Sequence, residues 1–560
     1  MSIPSARRFL AAVDDANVRT FRGLVDRFLE ETHERFPESA SRLGLDEFNS
    51  RLGQNDIPTP RAQIRLAEHT LAAAEKLPEA SFAGDDWLDR RTFLAMLRTE
   101  LLNARDLQRW RDNPQTHCDA AVDSIFDLVI RNTDDLGAVL PAIESRLARL
   151  PDYLTAGAAC VNRPVPLWTK LAQRSCEGAV GFLNEIETEL LQHSRSPART
   201  KRLLAAAAGA FGRYADGVAR KRPGEAQGYS VGRANFEFLI RERLGFDWTL
   251  PEALANGEHL VSQMRYRLER EAARHGSKDT QSILEEAAAQ WTPRRPLLDE
   301  YRSATSAIKD KLAELGIATL PRGESLKVLP APPFLRHHFP TAAYNAPPPF
   351  SEKQEGIFWV NDLSLGVSDP KKKLSEIRQH FGLELTSAHE AYPGHHLQFA
   401  IQNRHPSKLR RLAGHAIYYE GWTMWCEQLA VERGLVEGPY ARLQQIHDAL
   451  WRAHRIVIDC GLHSGSLSYE GACKALVNGV HFTKARAAGD VNWYTNSPTV
   501  PMSYLLGRIE VEKLHHRFVD REGWTLKQFN DWMLSHGAIP WSWILRAHDQ
   551  RVSKRPFVKR

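Results

Sequence analysis

Long apolar runs are missing from this chain of 560 residues. No stretch reaches the ~18 consecutive apolar residues that a membrane-spanning helix needs. The first residues, Met1 to Leu10, carry no apolar signal segment, and Asp14 and Asp15 follow early. Cysteine is scarce: Cys118, Cys160, Cys176, Cys426, Cys460 and Cys473 are scattered, with no C-x-x-C pair. That spacing argues against a disulfide framework and against a cysteine zinc site, and cytoplasm is the expected compartment. Charge of one sign is weak as well, with 74 basic against 68 acidic residues. No dense basic block with interleaved aromatics occurs, so neither nucleic acid nor a membrane is an expected partner. The basic end, with Lys554, Arg555, Lys559 and Arg560, reads as a solvated tail. No fixed-period repeat points to a solenoid.

What is present is an ordinary globular composition, 42% hydrophobic and 25% charged, on a chain long enough to bury a large core. Residues 1 to about 320 read as mostly helical. Phe21, Leu24, Val25, Phe28 and Leu29 have helical spacing within Thr20 to Arg35. Asp85 to Trp110, Asp134 to Leu154, Pro164 to Leu191 and Pro197 to Lys221 look alike, with Pro197 at a first helical position. Leu254 to Leu315 reads as an antiparallel helical pair broken near Gly276 and near Trp291-Thr292-Pro293. Prolines at 321, 330, 332, 333, 340, 347, 348 and 349 then forbid one continuous helix. Glu324 to Leu329 and Gly356 to Asn361 read as short strands, with Tyr344-Asn345-Ala346 in a loop lining a cleft. The expected fold is therefore mainly α: a large helical body with a small β-sheet beside a metal-site helix. A division near residue 320 separates a helical N-terminal region from a catalytic region, 321–560, within one integrated unit.

The chemistry concentrates in His389-Glu390-Ala391-Tyr392-Pro393-Gly394-His395-His396 and in Glu420-Gly421-Trp422. Two histidines and a glutamate are common protein ligands for catalytic zinc, which keeps one position open. Glu390, beside His389, stands where a zinc protease carries its general base. The spacing is irregular, because the position one turn after His389 is Pro393. In a straight helix His396 returns to the face of His389, but with their Cα atoms about 10 Å apart. A bulge at Pro393-Gly394 would instead bring His395 back. His395 is the preferred second ligand and His396 the alternative. Glu420 lies in an apolar-aromatic run, where a carboxylate is costly to bury unless it is paired or on a metal. Ala413 to Gly434 is its helix, and Leu383 to Gln402 is expected as a single helix carrying the histidines. Glu427 falls on the face of Glu420 and can orient a ligand histidine. Asp459 and His463, four apart on the helix Ile446 to Leu462, can support each other.

The strings HEAYPGHHLQ and EGW resemble the signature of the bacterial family known as domain of unknown function 885. Phe36 to Gly44 is similar to its N-terminal segment. Val457 to His463 and Ser503 to Gly507 are similar to its later blocks. The resemblance implies a zincin-like metallopeptidase with a glutamate as third ligand, and it raises His463 as a donor in the cleft. The chain departs from the pattern at Thr423-Met424-Trp425 and at Ser464 to Leu467, which bears on substrate preference.

The expected activity is zinc-dependent hydrolysis of short peptides. His389, His395 and Glu420 bind the metal, Glu390 acts as general base, and Tyr504 or His463 donates to the oxyanion. Tyr504 follows a turn rich in Asn and Pro, Asn492 to Pro498. Arg508, one turn on, is a candidate for binding a substrate carboxylate, and Tyr344 a candidate cleft residue. A zinc hydrolase of a non-peptide amide or ester, or a helical binding protein with a vestigial site, are the alternatives.

Overall fold

A computed structural model describes residues 16–277, 279–332, 336 and 341–553. The N-terminal segment read for a signal and the basic tail lie outside the described residues. The chain is mainly helical with a small sheet, as its periodicities predict. Helix Ala16–Arg35 buries Val18, Phe21, Val25, Phe28 and Leu29, one stripe of an otherwise polar surface. Helices Pro166–His193 and Pro197–Ala219 both begin on a proline, where the missing N–H has no intrahelical partner to lose. Helices Pro58–Glu75, Gln115–Arg131 and Tyr469–Val480 are among those the periodicity does not single out. The stretch read as a helical pair is three helices, Leu250–Arg274, Thr280–Gln290 and Leu297–Glu314. Its breaks fall at Gly276, which has a positive φ of 82°, and after Trp291. The largest apolar cluster includes Val18, Trp168, Phe358, Trp422 and Ile544, so helices from both ends of the sequence pack on the sheet and on the motif segments. A second cluster, from Leu52 to Val218, joins the helices around Gln115 to Ala219.

The sheet has strands β1 (Ser325–Pro330), β2 (Ala342–Asn345) and β3 (Glu355–Val360), in the order β1-β3-β2. β1 runs parallel to β3, and β2 antiparallel to it with Tyr344 opposite Phe358. The apolar run Ile357-Phe358-Trp359-Val360 is central and buried, as a strand covered on both faces must be. Tyr344 and Asn345 therefore belong to an edge strand and not to a loop. Pairing with β3 decides this, and the prolines at 347–349 end the strand.

Two further expectations are corrected. The segment Leu383 to Gln402 is not one helix: helix Leu383–Glu390 stops, and a second helix, His395–Gln402, starts after Gly394. The Tyr392–Pro393 peptide in between is cis. The stretch Asn492 to Pro498 is a turn only at its end, because helix Lys484–Asn496 runs through Asn492.

The Glu420 helix (Ala416–Glu432) packs on the Tyr504 helix (Val500–His515) through two glycines. A Cβ on Gly421 would lie 2.5 Å from Gly507 Cα, and one on Gly507 would collide with the Ile417 carbonyl and with Gly421 Cα. Only two residues without side chains allow backbones this close. Gly421→Ala should cost about 3 kcal/mol through overpacking against backbone that cannot yield. A urea-denaturation midpoint unchanged from wild type would show that the contact does not constrain the fold.

Candidate metal centre

The break between the two half-helices is held by residues of both motifs. A Cβ on Gly394 would overlap the carbonyls of Ala388 and His389, so the chain can fold back here only through glycine. Trp422 donates its indole N–H to the Pro393 carbonyl at 2.9 Å. The break places His395 beside His389, with ring centroids 4.9 Å apart. Glu420 reaches between them: its Oε2 lies 3.6 Å from His389 Nε2 and 3.5 Å from His395 Nε2. One ligand atom from each of the three residues fits within a 4.8 Å cluster, and all three residues are buried. A tetrahedral zinc ion with bonds of about 2.0–2.1 Å separates its donors by about 3.3 Å. The observed spacings fit it, and the donor set of two imidazoles and a carboxylate suits it.

The tautomer of His389 is fixed. Its Nδ1 donates to Glu427 Oε1 at 2.7 Å, which turns Nε2 towards Glu420. Glu420 Oε2 is buried without a hydrogen-bond partner, an orphaned oxygen aimed at the two ring nitrogens. Burial alone would push the Glu420 carboxyl up, but His395 and His389 outweigh it and hold the group well below the usual carboxylate range. For His389, burial opposes the charged ring, yet Glu420, Glu427 and Glu390 raise its pKa to about 10. Glu390 behaves oppositely: burial raises its pKa, against the pull of His389 and His395. It retains partial solvent exposure at the edge of the centre.

Aromatic side chains surround His395. Tyr344 stacks on it at 6.3 Å with an interplanar angle of 12°, and Phe399 and Tyr419 lie 6.1 and 6.0 Å away. Tyr504 comes close to Glu420, and burial and that carboxylate hold its hydroxyl protonated well above the usual tyrosine range. Under the Tyr504 ring, at 4.5 Å, lies the guanidinium of Arg455, which also sits over Trp451 and Trp493. Sequence reasoning missed Arg455, since two of the rings around it, Trp493 and Tyr504, lie on other helices.

Not every candidate joins the centre. His396 faces away: its Nε2 donates to Glu324 Oε2 at 2.6 Å, and its Nδ1 lies 3.1 Å from the Tyr344 hydroxyl. With both nitrogens engaged it stands outside the His389, His395 and Glu420 cluster. Gly356 makes room for this contact, since a Cβ there would lie 2.6 Å from His396 Nδ1. Glu324 also accepts from Tyr392 and Lys309 at 2.6 and 2.7 Å. Nothing in the sequence signalled Glu324, because its partners come from two separate segments, the helix Leu297–Glu314 and the motif. His463 is fully buried, stacked on Phe236 at 5.7 Å and bonded through Nε2 to the Tyr494 carbonyl at 3.0 Å. Burial lowers its pKa to about 4, and it is a structural histidine rather than a cleft donor. Asp459 lies 3.6 Å from His463 but accepts from the backbone N–H groups of Thr499 and Met502, steadying the start of the Tyr504 helix. It bonds neither His389 nor His395; the carboxylate that bonds His389 is Glu427. Arg508 is buried, 3.3 Å from Glu512, and cannot meet a substrate in the cleft.

With this geometry described, comparison with known proteins adds the lineage. Residues 37–547 match the model of a family described as bacterial protein of unknown function (DUF885), and the chain belongs to that family. No curated protein matches it. Among solved structures it is similar to a candidate lipoprotein of unknown function from Shewanella oneidensis. The two share 18% identity and a TM-score of 0.75, over 94% of this chain and 99% of that one. It is also similar to a candidate lipoprotein from Colwellia psychrerythraea, at 16% identity and a TM-score of 0.69, over 96% and 100% of the chains. At these identities the likeness is one of fold. Among the described residues, no helix is long and apolar enough to cross a membrane.

The Glu324 network carries a pH signature. Burial opposes its charge, but His396, Lys309 and Tyr392 bring its pKa from 4.5 to about 2. A group with a depressed folded-state pKa contributes stability that is complete above about pH 4.5 and is lost as pH falls towards 2. Glu324→Gln should lower stability at neutral pH by about 3 kcal/mol, leaving Lys309 and His396 unpaired. It should also flatten the acid limb of the stability–pH curve. An unchanged acid limb in the variant would refute this role.

Proposed function

We propose that the chain is a zinc-dependent hydrolase that cleaves peptide bonds in short peptides, in the manner of a zincin. The observation that carries this reading is the orphaned Glu420 Oε2, buried between two imidazole nitrogens at donor spacing. A buried carboxylate oxygen facing ring nitrogens without a hydrogen bond is costly unless a cation satisfies it. His389, His395 and Glu420 would hold the ion, with Glu427 fixing the ring of His389. A zinc ion bound there would supply Lewis acidity and a water of lowered pKa.

The protein groups divide the remaining work. Glu390, its pKa raised by burial, accepts the proton of the attacking water as the new C–O bond forms. It returns that proton to the amine nitrogen as the C–N bond breaks. Tyr504, held protonated beside Glu420, donates its hydroxyl hydrogen to the carbonyl oxygen that gains negative charge. Tyr344 keeps the ring of His395 in place by stacking. β2 pairs only with β3 among the described strands, and its other edge can take an extended peptide by main-chain pairing. Unpaired cysteines suit a reducing compartment, and cytoplasm is the compartment we propose, although the two solved relatives are described as lipoproteins.

The test is cleavage of a random peptide library by zinc-replete wild type and by Glu390→Gln. Loss of the base should reduce turnover by about 10²- to 10⁴-fold with zinc content unchanged. A zinc-loaded variant as active as wild type would remove Glu390 from the chemistry. A zinc-replete wild type that cleaves nothing would overturn the peptidase reading.

A further inference from the structure

Arg243 occupies an unusual position. It lies on the π-helical turn Ile240–Leu244 and bridges the starts of the two helices that build the centre. Its backbone carbonyl lies 3.0 Å from Nδ1 of His415, the residue just before the Glu420 helix. Its guanidinium donates to the carbonyl of Pro498, at 3.1 Å, just ahead of the Tyr504 helix. The side chain keeps partial contact with solvent, yet burial is the main influence on it and lowers its pKa. Arg243 is thus largely desolvated while part of the residue still meets solvent.

Several deeply placed arginines have a carboxylate partner, as Arg91 with Glu242, Arg410 with Asp89 and Arg508 with Glu512, whereas fully buried Arg146 is held by the carbonyls of Ser124 and Phe48. Among the described residues Arg243 has no such ion pair. The groups that act on its charge from a distance are Tyr419 and Asp459. Tyr419 is also the ring lying 6.0 Å from His395. Burial keeps the Asp459 carboxyl well above the usual range, which weakens it as a counter-charge. Of the guanidinium donors, one is used on Pro498, and none of the others is buried without a partner.

We infer that Arg243 is the anchor for a carboxylate of the substrate, held by paired N–H···O bonds beside the metal centre. The role sought at Arg508 thus falls to a residue distant in sequence from both motifs. The matching substrate class is a peptide that carries a carboxylate near the scissile bond. Its α-carboxylate would make the reaction removal of a C-terminal residue, and an acidic side chain would make it cleavage beside Asp or Glu. This inference rests on the hydrolase reading above, since it names that site's substrate.

Three peptide pools separate the cases: free acids lacking Asp and Glu, C-terminal amides lacking Asp and Glu, and C-terminal amides containing them. Zinc-replete wild type should cleave the carboxylate-free pool about 10- to 100-fold more slowly than at least one other pool, the range a charge-assisted contact supplies. The faster pool identifies the source of the carboxylate. Arg243→Gln should erase the difference by raising KM, and Arg243→Lys should restore part of it. Equal cleavage of all pools by wild type overturns the anchor and leaves the hydrolase standing. No cleavage of any pool overturns the hydrolase instead. A readout independent of turnover is thermal stability of zinc-replete Glu390→Gln with each pool at millimolar concentration. The carboxylate pool should raise Tm in Glu390→Gln but not in the double variant that also carries Arg243→Gln. No Tm shift, or a shift that survives the loss of Arg243, contradicts the assignment.

Discussion

The whole centre depends on the chain ceasing to be helical for four residues. Six residues of continuous helix would separate His389 from His395 by about 9 Å along the axis and turn them to different faces. The break at Ala391 to Gly394 brings the rings to 4.9 Å instead. Gly394 permits the break because any side chain there would strike the carbonyl of His389. Trp422 holds the break from the far side by donating to Pro393. The same short sequence that brings Glu420 to the two histidines thus supplies a clamp in Trp422 and a packing notch in Gly421. Through that notch the Tyr504 helix comes close enough to bring its hydroxyl to Glu420.

Electrostatics divide the neighbouring histidines between two tasks. His395 and His389 share the Glu420 oxygen and retain nitrogens suited to a cation. His396, one residue on, turns to Glu324 and locks the sheet to the motif through Tyr344 and Tyr392. Adjacent residues at a helix start point in different directions, so one identical side chain serves the centre and the next serves the scaffold. Tyr344 belongs to both arrangements, bonded to His396 and stacked on His395, and it transmits the rigidity of β2 to the centre.

Much of this was legible in the sequence because the residues concerned act locally. The helical stripes, the two strands bounded by turn residues and an irregularity at Pro393-Gly394 follow from spacing and from backbone limits, although the sequence suggested a bulge in one helix rather than a break between two. The choice of His395 over His396 and the placement of Glu427 follow from the same geometry. The remainder depended on tertiary contacts. A tetrapeptide such as Ala342 to Asn345 becomes a strand only because β3 lies beside it. The partners of Glu324 lie on a helix before it and in the motif after it, and Arg455 gains its meaning from rings on two other helices. Asp459, His463 and Arg508 carry chemistry in their side chains, but burial commits them to the core. Arg243 gave no sequence signal at all, since its neighbourhood is formed by the starts of two helices more than a hundred residues away.

The most direct test of the account is anomalous diffraction at the zinc edge from crystals of metal-replete protein. The account predicts one zinc site bonded by His389 Nε2, His395 Nε2 and Glu420 at about 2.0–2.2 Å, with His396 still bound to Glu324. An ion ligated by His396, or the absence of any peak between His389, His395 and Glu420 in zinc-loaded crystals, would contradict it.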